Sequence, residues 1–452
     1  MKTLNNRLNR IWLLSFVLFL LIANTTKALA QDTIPINLEK ILELGGADNL
    51  TIKEYKERQE LSLAKLAKAK EWWLPELYAG AETHQLWGAA MNTGGRFFLD
   101  VNRQNLWTGL GLNAHWDFAD GIYNAKSANL RSQASQYLTQ AERNQQLLKM
   151  IDAYYKLMTA QLNYSAYQNL VGQSDTIALQ IQVQVDAGLR YQSELLLAKS
   201  NKNHLQVEML NAKKEYNNAS ANLKKLLNIE QNIKLASAEK SLLPLDFNVE
   251  LNAIDDSVYL NRPEMKANEL EIQALEIERK KYTTGLLIPE LNVGTYGSYF
   301  GRITGNVLPI DPVQYPNPQQ LYPTGALNVS LKWKIPLGAI TYQGDKKTFD
   351  SKIDLKEIET EQFRAQINEE IANAESDLQL GKEQIEITKE ALDLTTEALY
   401  QSIERQKLGT AKPFEVFQAQ QFFLQAQLDY IKAIANYNLA QYELQVATGN
   451  NL

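Results

Sequence analysis

The stretch QSIERQKLGTAKPFEVFQAQQFFLQAQLDYIKAIANYNLAQYELQVATG, residues 401–449, decides how the whole chain is read. A helix arrives, turns at Leu408-Gly409-Thr410 and restarts after Pro413. Proline suits a first helical turn, because its missing N–H would have no partner there. Glycine suits the left-handed residue that ends a helix. The same device occurs between Ile181 and Asn228. Gly188 matches Gly409, Glu194 matches Glu415, Ala198 matches Ala419 and Leu223 matches Leu444, all at one offset of 221 residues. Two long helical hairpins with related tips predict an internal duplication.

The legs of these hairpins are long. From Gly121 to Asp186 there is no proline, and the single interior glycine is Gly172. A helix over that span is about 100 Å long at roughly 1.5 Å per residue. Such a length fits a coiled coil or an extended bundle rather than the inside of one globule. Leu148, Tyr155 and Leu162 recur at seven. The return helix, 191–228, is shorter. A helix opened by Arg262-Pro263-Glu264 and running to about Thr284 has the length to stack on it end to end. The last long helix covers 340–408, with Ile371, Leu378, Ile385, Leu392 and Leu399 at seven. Three residues on from each lie Ala374, Gly381, Thr388, Thr395 and Ser402, small enough to let helix backbones approach.

Between the legs the period changes to two. Leu106, Thr108, Leu110, Leu112, Ala114, Trp116 and Phe118 share one face. Trp107, Gly109, Gly111, Asn113, His115 and Asp117 share the other. This predicts strands at 74–88 and 105–119, joined by a loop over 89–104. The second half repeats the pattern at 288–300 and 325–337, with Leu327, Val329, Leu331, Trp333 and Ile335 opposite Asn328, Ser330, Lys332 and Lys334. The loop over 301–325 holds five prolines, a long excursion rather than a tight turn. Ile288-Pro289-Glu290-Leu291 echoes Leu74-Pro75-Glu76-Leu77. Upstream, residues 38–70 read as two helical pieces broken at Gly45-Gly46.

Composition narrows the class. Lys2, Arg7 and Arg10 precede the apolar run IWLLSFVLFLLIA, and small residues follow to Ala30. This is the pattern of a secretory signal peptide at 1–30, too short for a spanning helix. Removing its four positive charges takes the formal charge from −6 to −10. No basic surface for nucleic acid is expected. There is no cysteine in the chain, hence no disulfide and no cysteine to carry a lipid anchor. No later segment reads as a transmembrane helix. Four strands cannot close a barrel, and an open sheet cannot lie in lipid, because its edges carry unpaired backbone groups. Several chains are needed: two give eight strands and a filled interior, three give twelve and a pore. Trp87, Trp107, Trp116, Trp333 and Tyr299 are candidates for membrane interfaces.

At this point the chain resembles a family. The duplicated order helix–strand–strand–helix–tip–helix, the Leu-Pro-Glu-Leu and Ile-Pro-Glu-Leu strand starts, Arg262-Pro263-Glu264, and the tips beginning at Gly188 and Gly409 are similar to the TolC family of outer-membrane efflux proteins. The resemblance implies a mainly α protein with a small β part. Its helical hairpins form an α-barrel tunnel, and its four strands per chain complete a twelve-stranded transmembrane β-barrel in a homotrimer. It divides the chain into a first structural repeat at 31–235, an equatorial connector at 236–262 and a second structural repeat at 263–452. It also implies an exit duct in the outer membrane, reaching into the periplasm, for tripartite efflux or type I secretion. The partners would be a periplasmic adaptor and an inner-membrane transporter. A secreted trimeric coiled-coil fibre without transport is the competing reading, but a fibre has no use for two aromatic-rich strand pairs.

No catalytic constellation is present. His84, His115 and His204 are scattered, and no phosphate-binding or nucleophile motif occurs. The chain therefore reads as a non-enzyme without cofactor or metal. Candidate gate residues are Gly188, Arg190, Glu194, Arg405, Gly409, Lys412, Glu415 and Gln418. Glu194 and Glu415 stand in the first turn of a restarting helix, where a carboxylate is favoured by the helix dipole in any case. The resemblance implies a further role, a ring of Glu415 side chains at the tunnel mouth with Gln418 one turn on. It departs from the family in carrying Glu for the usual Asp, and Gln418 in place of a second acid. Arg190, Arg405 and Lys412 are near enough in sequence to pair with these acids. Candidate lumen-facing residues are Asn113, Asp117, Asn328, Lys332 and Lys334.

Overall fold

The computed structural model describes residues 33–91, 95–230, 232–247, 256–305 and 321–452. The signal segment at 1–30, residues 248–255 of the connector and most of the proline-bearing loop lie outside the described residues. In chain order the elements are β1 (Thr33–Ile36), α1 (Leu38–Asp48), α2 (Leu50–Lys70), β2 (Glu76–Met91), β3 (Phe97–Asp117), α3 (Phe118–Asp186), α4 (Gln192–Leu227), β4 (Lys234–Ser237), α5 (Asp256–Asn261), α6 (Pro263–Arg279), β5 (Glu290–Gly305), β6 (Tyr322–Lys332), α7 (Leu337–Thr341), α8 (Gly344–Lys407) and α9 (Pro413–Ala447). The described residues fall into two compact units, one drawn from within 1–53, 142–253 and 368–452 and the other from within 54–141 and 254–367.

The first unit carries the main core. Leu147, Met150, Ile151, Tyr154, Leu157 and Met158 follow one another at helical spacing along α3 and are all buried. They meet Leu223 and Leu227 of α4, Leu235 of β4 and Ile434 of α9. The duplication is visible in this packing: Leu195 and Val416, one offset apart, are both fully buried, as are Leu223 and Leu444. Gly381 lets α8 approach α9, since a Cβ there would lie 3.1 Å from the Tyr437 ring. β1 and β4 form a small parallel sheet, pairing Thr33 with Lys234 through Ile36 with Ser237, which the irregular texture of the connector did not announce. Burial pushes the Tyr154 phenol up to about 12, so it remains protonated beside the Ser237 hydroxyl, 3.3 Å away.

The helix expected to break at Gly45-Gly46 does not break there. Both glycines lie inside α1, and the break falls at Asn49. Asn49 ends α1 and starts α2. Its backbone N–H donates to the Gly45 carbonyl, its Oδ1 accepts from the Ile52 N–H at 3.0 Å, and its Nδ2 donates to the Leu226 carbonyl at 2.8 Å. Asparagine is well suited to this cap. Gly45 is small because Met150 fills the space: a Cβ would stand 2.1 Å from its sulfur.

The second unit holds a four-stranded antiparallel sheet in the order β2-β3-β5-β6. Its strands extend beyond the expected bounds. Phe97–Gln104, expected as loop, pairs with β2 across a bulge between Gly88 and Ala90. The charges Asp100 and Arg103 break the alternation there, but the ladder of backbone hydrogen bonds continues regardless of side chains. At the other end β3 stops at Asp117, and Phe118 begins α3. β6 stops at Lys332, so Trp333, Lys334 and Ile335 lie past the strand, ahead of Pro336. In the same unit Arg262, 1% exposed, lies beside Glu264 at 3.3 Å and over the Phe363 ring, fixing the start of α6. Arg131 then clamps Glu278 at the other end, with Nη1–Oε1 2.6 Å and Nη2–Oε2 3.1 Å.

Candidate functional site

The two tips are built alike, down to single hydrogen bonds. Gly188 has φ +72° and Gly409 has φ +75°. Each glycine N–H donates three residues back, Gly188 to Val185 and Gly409 to Gln406. The next N–H donates five back, Leu189 to Gln184 and Thr410 to Arg405. These bonds satisfy carbonyls that a helix end otherwise leaves open. Each following helix restarts in the same way, with Glu194 N–H donating to Tyr191 and Glu415 N–H to Lys412. Under the turns lies a common apolar plug of Ile177, Ile181, Leu195, Val416 and Phe417.

Of the three cations expected to pair with these acids, Arg405 and Arg190 do so and Lys412 does not. Arg405 does meet Glu415, at 3.3 Å, with both side chains about half exposed. Glu415 also accepts from the Lys412 backbone N–H at 3.2 Å, as an N-cap partner. Lys412 offers that backbone group, while its ammonium forms no ion pair with the described residues. Gln418 is exposed, one turn on from Glu415. Arg190 pairs with its acid and also reaches further. Its side chain is only 8% exposed and lies 3.4 Å from Glu194, but its shorter contacts are elsewhere. It donates to Gln184 Oε1 at 2.5 Å and, across to the other tip, to the Ala411 carbonyl at 2.8 Å. A more distant contact reaches the Gln406 carbonyl at 3.5 Å. Arg190 therefore ties the first tip to the second through the backbone. The residue it grips is its own counterpart, since Ala411 stands one offset of 221 from Arg190. That mismatch within the duplication, arginine in one copy and alanine in the other, was the one sequence signal available for this contact. Gln406, completely buried beneath the same turn with neither amide atom bonded to any described residue, gave no signal at all.

The sheet has two chemically distinct faces. Paired residues of an antiparallel ladder share a face, so the register carries the pattern across all four strands. One face presents Leu77, Leu110, Leu327, Val329 and Leu331, each at least 53% exposed. The opposite face aligns the polar candidates in rows. Asn113 pairs with Gly294, which pairs with Asn328; Asp117 pairs with Glu290, which pairs with Lys332. His115 and Asn292, between these rows, are hydrogen-bonded to each other. Lys334, beyond the strand, keeps its ammonium 4.0 Å from Glu290. Of the aromatic residues expected at membrane interfaces, Trp87 and Tyr299 are exposed on the apolar side, but Trp107 is on the polar side, packed between Tyr78 and Tyr296. Both outer strands, β2 and β6, leave one edge unpaired by the described residues.

Among the described residues no group of three or more His, Cys, Asp or Glu side chains could hold a metal ion. No described helix is long and apolar enough to cross a membrane.

Helical hairpins with paired glycine tips, joined to a two-faced sheet, define a known class of fold. No family model matches the sequence, and no curated protein matches it. Solved structures do. The CmeC outer membrane channel of Campylobacter jejuni superposes with a TM-score of 0.77 at 17% identity, over 91% of this chain and 85% of that one. The outer membrane protein VceC of Vibrio cholerae gives 0.72 at 14% identity, over 92% and 96%. The open-state MtrE outer membrane channel of Neisseria gonorrhoeae gives 0.70 at 17%, over 91% and 89%. The chain has the fold of these TolC-family outer-membrane channels.

Proposed function

We propose that this chain is the outer-membrane exit duct of a tripartite efflux or type I secretion system, a passive conduit gated at its helical tips. The observation that carries the reading is the sheet. It offers an exposed apolar face for lipid and a polar face for water, and two strand edges call for partners. An open edge is not tolerated in hydrocarbon, so closure by further copies follows. Three copies close twelve strands, with Asn113, Asp117, Asn328, Lys332 and Lys334 on the lumen side. The helices also present a surface for a neighbouring copy. Leu380, Ile387 and Leu394 recur at seven along α8 and are 49%, 59% and 64% exposed in the single chain. A stripe of this kind marks a surface for a neighbouring helix. A periplasmic adaptor engaging the tips and an inner-membrane transporter supplying energy complete the assembly. The signal segment would deliver the chain to the outer membrane, without a lipid anchor. No role as an enzyme is part of this reading.

Single-channel recording in planar bilayers tests the gate. Three Glu415 carboxylates ring the mouth, each partly compensated by Arg405. Glu415→Gln removes the carboxylate and leaves the guanidinium, so cation preference falls while trimer yield is unchanged. Channels indistinguishable from wild type in conductance and selectivity would return Glu415 to an ordinary helix-start charge.

A further inference from the structure

The polar face of the sheet carries an aromatic shelf. Tyr78, Trp107, Tyr296 and Phe300 stand on it together. Gly111 pairs with both Tyr78 and Tyr296, and Trp107 pairs with both Glu82 and Phe300. The Tyr78 and Trp107 rings are stacked, with centroids 6.3 Å apart at 29°. Trp107 and Tyr296 meet edge to face, 6.0 Å apart at 82°. Gly111 makes the room, since a Cβ there would lie 2.2 Å from Cζ of Tyr78. The Tyr78 ring therefore lies down over the strand. Yet Tyr78 remains 42% and Phe300 41% exposed, so the shelf presents ring surface rather than filling a core.

A hollow of about 750 Å³ opens above these rings. Pockets that take small organic molecules run to roughly 300–1,000 Å³. Glu82 supplies the one acidic side chain of its lining, and no lysine or arginine borders it among the described residues. Aromatic faces are electron-rich and attract cations, and a carboxylate beside them adds to that attraction. A neutral aromatic molecule would stack without using Glu82, and an anion would be repelled by it.

We infer that the Tyr78–Trp107–Tyr296–Phe300 shelf with Glu82 is a binding site for flat aromatic organic cations. The site rests on the reading of this face as the duct wall, where three copies would line the path of the cargo. A flat cation stacks on the shelf and places its charge toward Glu82, so the wall selects for this class of molecule as it passes.

Ethidium, a flat aromatic cation, serves as the probe on the full-length protein. In planar bilayers ethidium reduces wild-type current in a concentration-dependent way. Trp107→Ala raises the half-blocking concentration about tenfold, and Glu82→Gln raises it by roughly three- to tenfold. Tyr299→Ala, on the opposite face, leaves it unchanged, and a naphthalene sulfonate does not block. Equal block of wild type and Trp107→Ala, or equal block by the sulfonate, overturns the inference. Ethidium anisotropy with the detergent-solubilised protein separates this from the duct reading. If wild type binds ethidium and Trp107→Ala does not, the shelf stands even where no current is seen, and only the duct reading fails. If both bind equally, the shelf is wrong.

Discussion

Arg190→Ala is expected to open the duct at its tips, raising the open probability by about ten- to a hundredfold without lowering the yield of assembled protein. The guanidinium is nearly buried and donates to the Ala411 carbonyl and the Gln184 amide oxygen. A hydrogen bond from a charged donor contributes about 1.5–3 kcal/mol, and a factor of ten in an equilibrium is about 1.4 kcal/mol. Losing these contacts leaves the core packing of α3 and α9 untouched, because Tyr154, Leu157 and Ile434 belong to a different cluster from the tip residues. The tips are joined elsewhere mainly through the small plug of Ile181, Leu195, Val416 and Phe417, so they are the parts of the hairpins that separate at least cost. Arg190→Lys keeps the charge without the fork that reaches both partners, and its open probability falls between wild type and alanine. Single-channel recording measures the effect. An Arg190→Ala channel that stays as closed as wild type would show that the cross-tip contact does not hold the gate.

Leu110→Arg is expected to abolish insertion of the assembled protein, whereas Lys332→Gln is nearly silent. Leu110 is 59% exposed on the apolar face, midway along the sheet, and Lys332 shares the polar face with Glu290 and Asp117. An arginine on the lipid face of a barrel costs about 2–4 kcal/mol near the midplane, and three copies multiply it. Loss of the Lys332 charge alters only a wet wall. Heat-modifiable migration and outer-membrane fractionation report both variants. Equal defects from the two substitutions would contradict the assignment of faces.

The parts of this fold that could be read in advance were those governed by local rules. Gly188 and Gly409 announced their turns because few other residues accept a φ near +70°. The two faces of β3 were visible because alternation reports environment directly. What escaped depended on distant partners. Gly45 looked like a helix breaker, yet its smallness answers to Met150, about a hundred residues on. Phe97–Gln104 looked like loop because its charges obscure the alternation, while its pairing is decided by the neighbouring strand. Arg190 does partner a nearby acid, Glu194, as its spacing suggested, but its shortest contact outside its own hairpin is a backbone carbonyl in the other repeat. Trp107 looked like an interfacial residue, but its position on β3 puts it with Tyr78 and Tyr296. Backbone acceptors leave no trace in a sequence pattern, and this is why the contact between the tips was the hardest feature to foresee.

If one chain supplies a third of a closed barrel, the assembled protein is a trimer. Native mass spectrometry of the protein in mild detergent tests it most directly. A single species of three chains is expected, because closure pairs the free edges of β2 and β6 and covers the exposed stripe of Leu380, Ile387 and Leu394. A stable species of one or two chains would contradict it, and with it both the barrel and the tunnel.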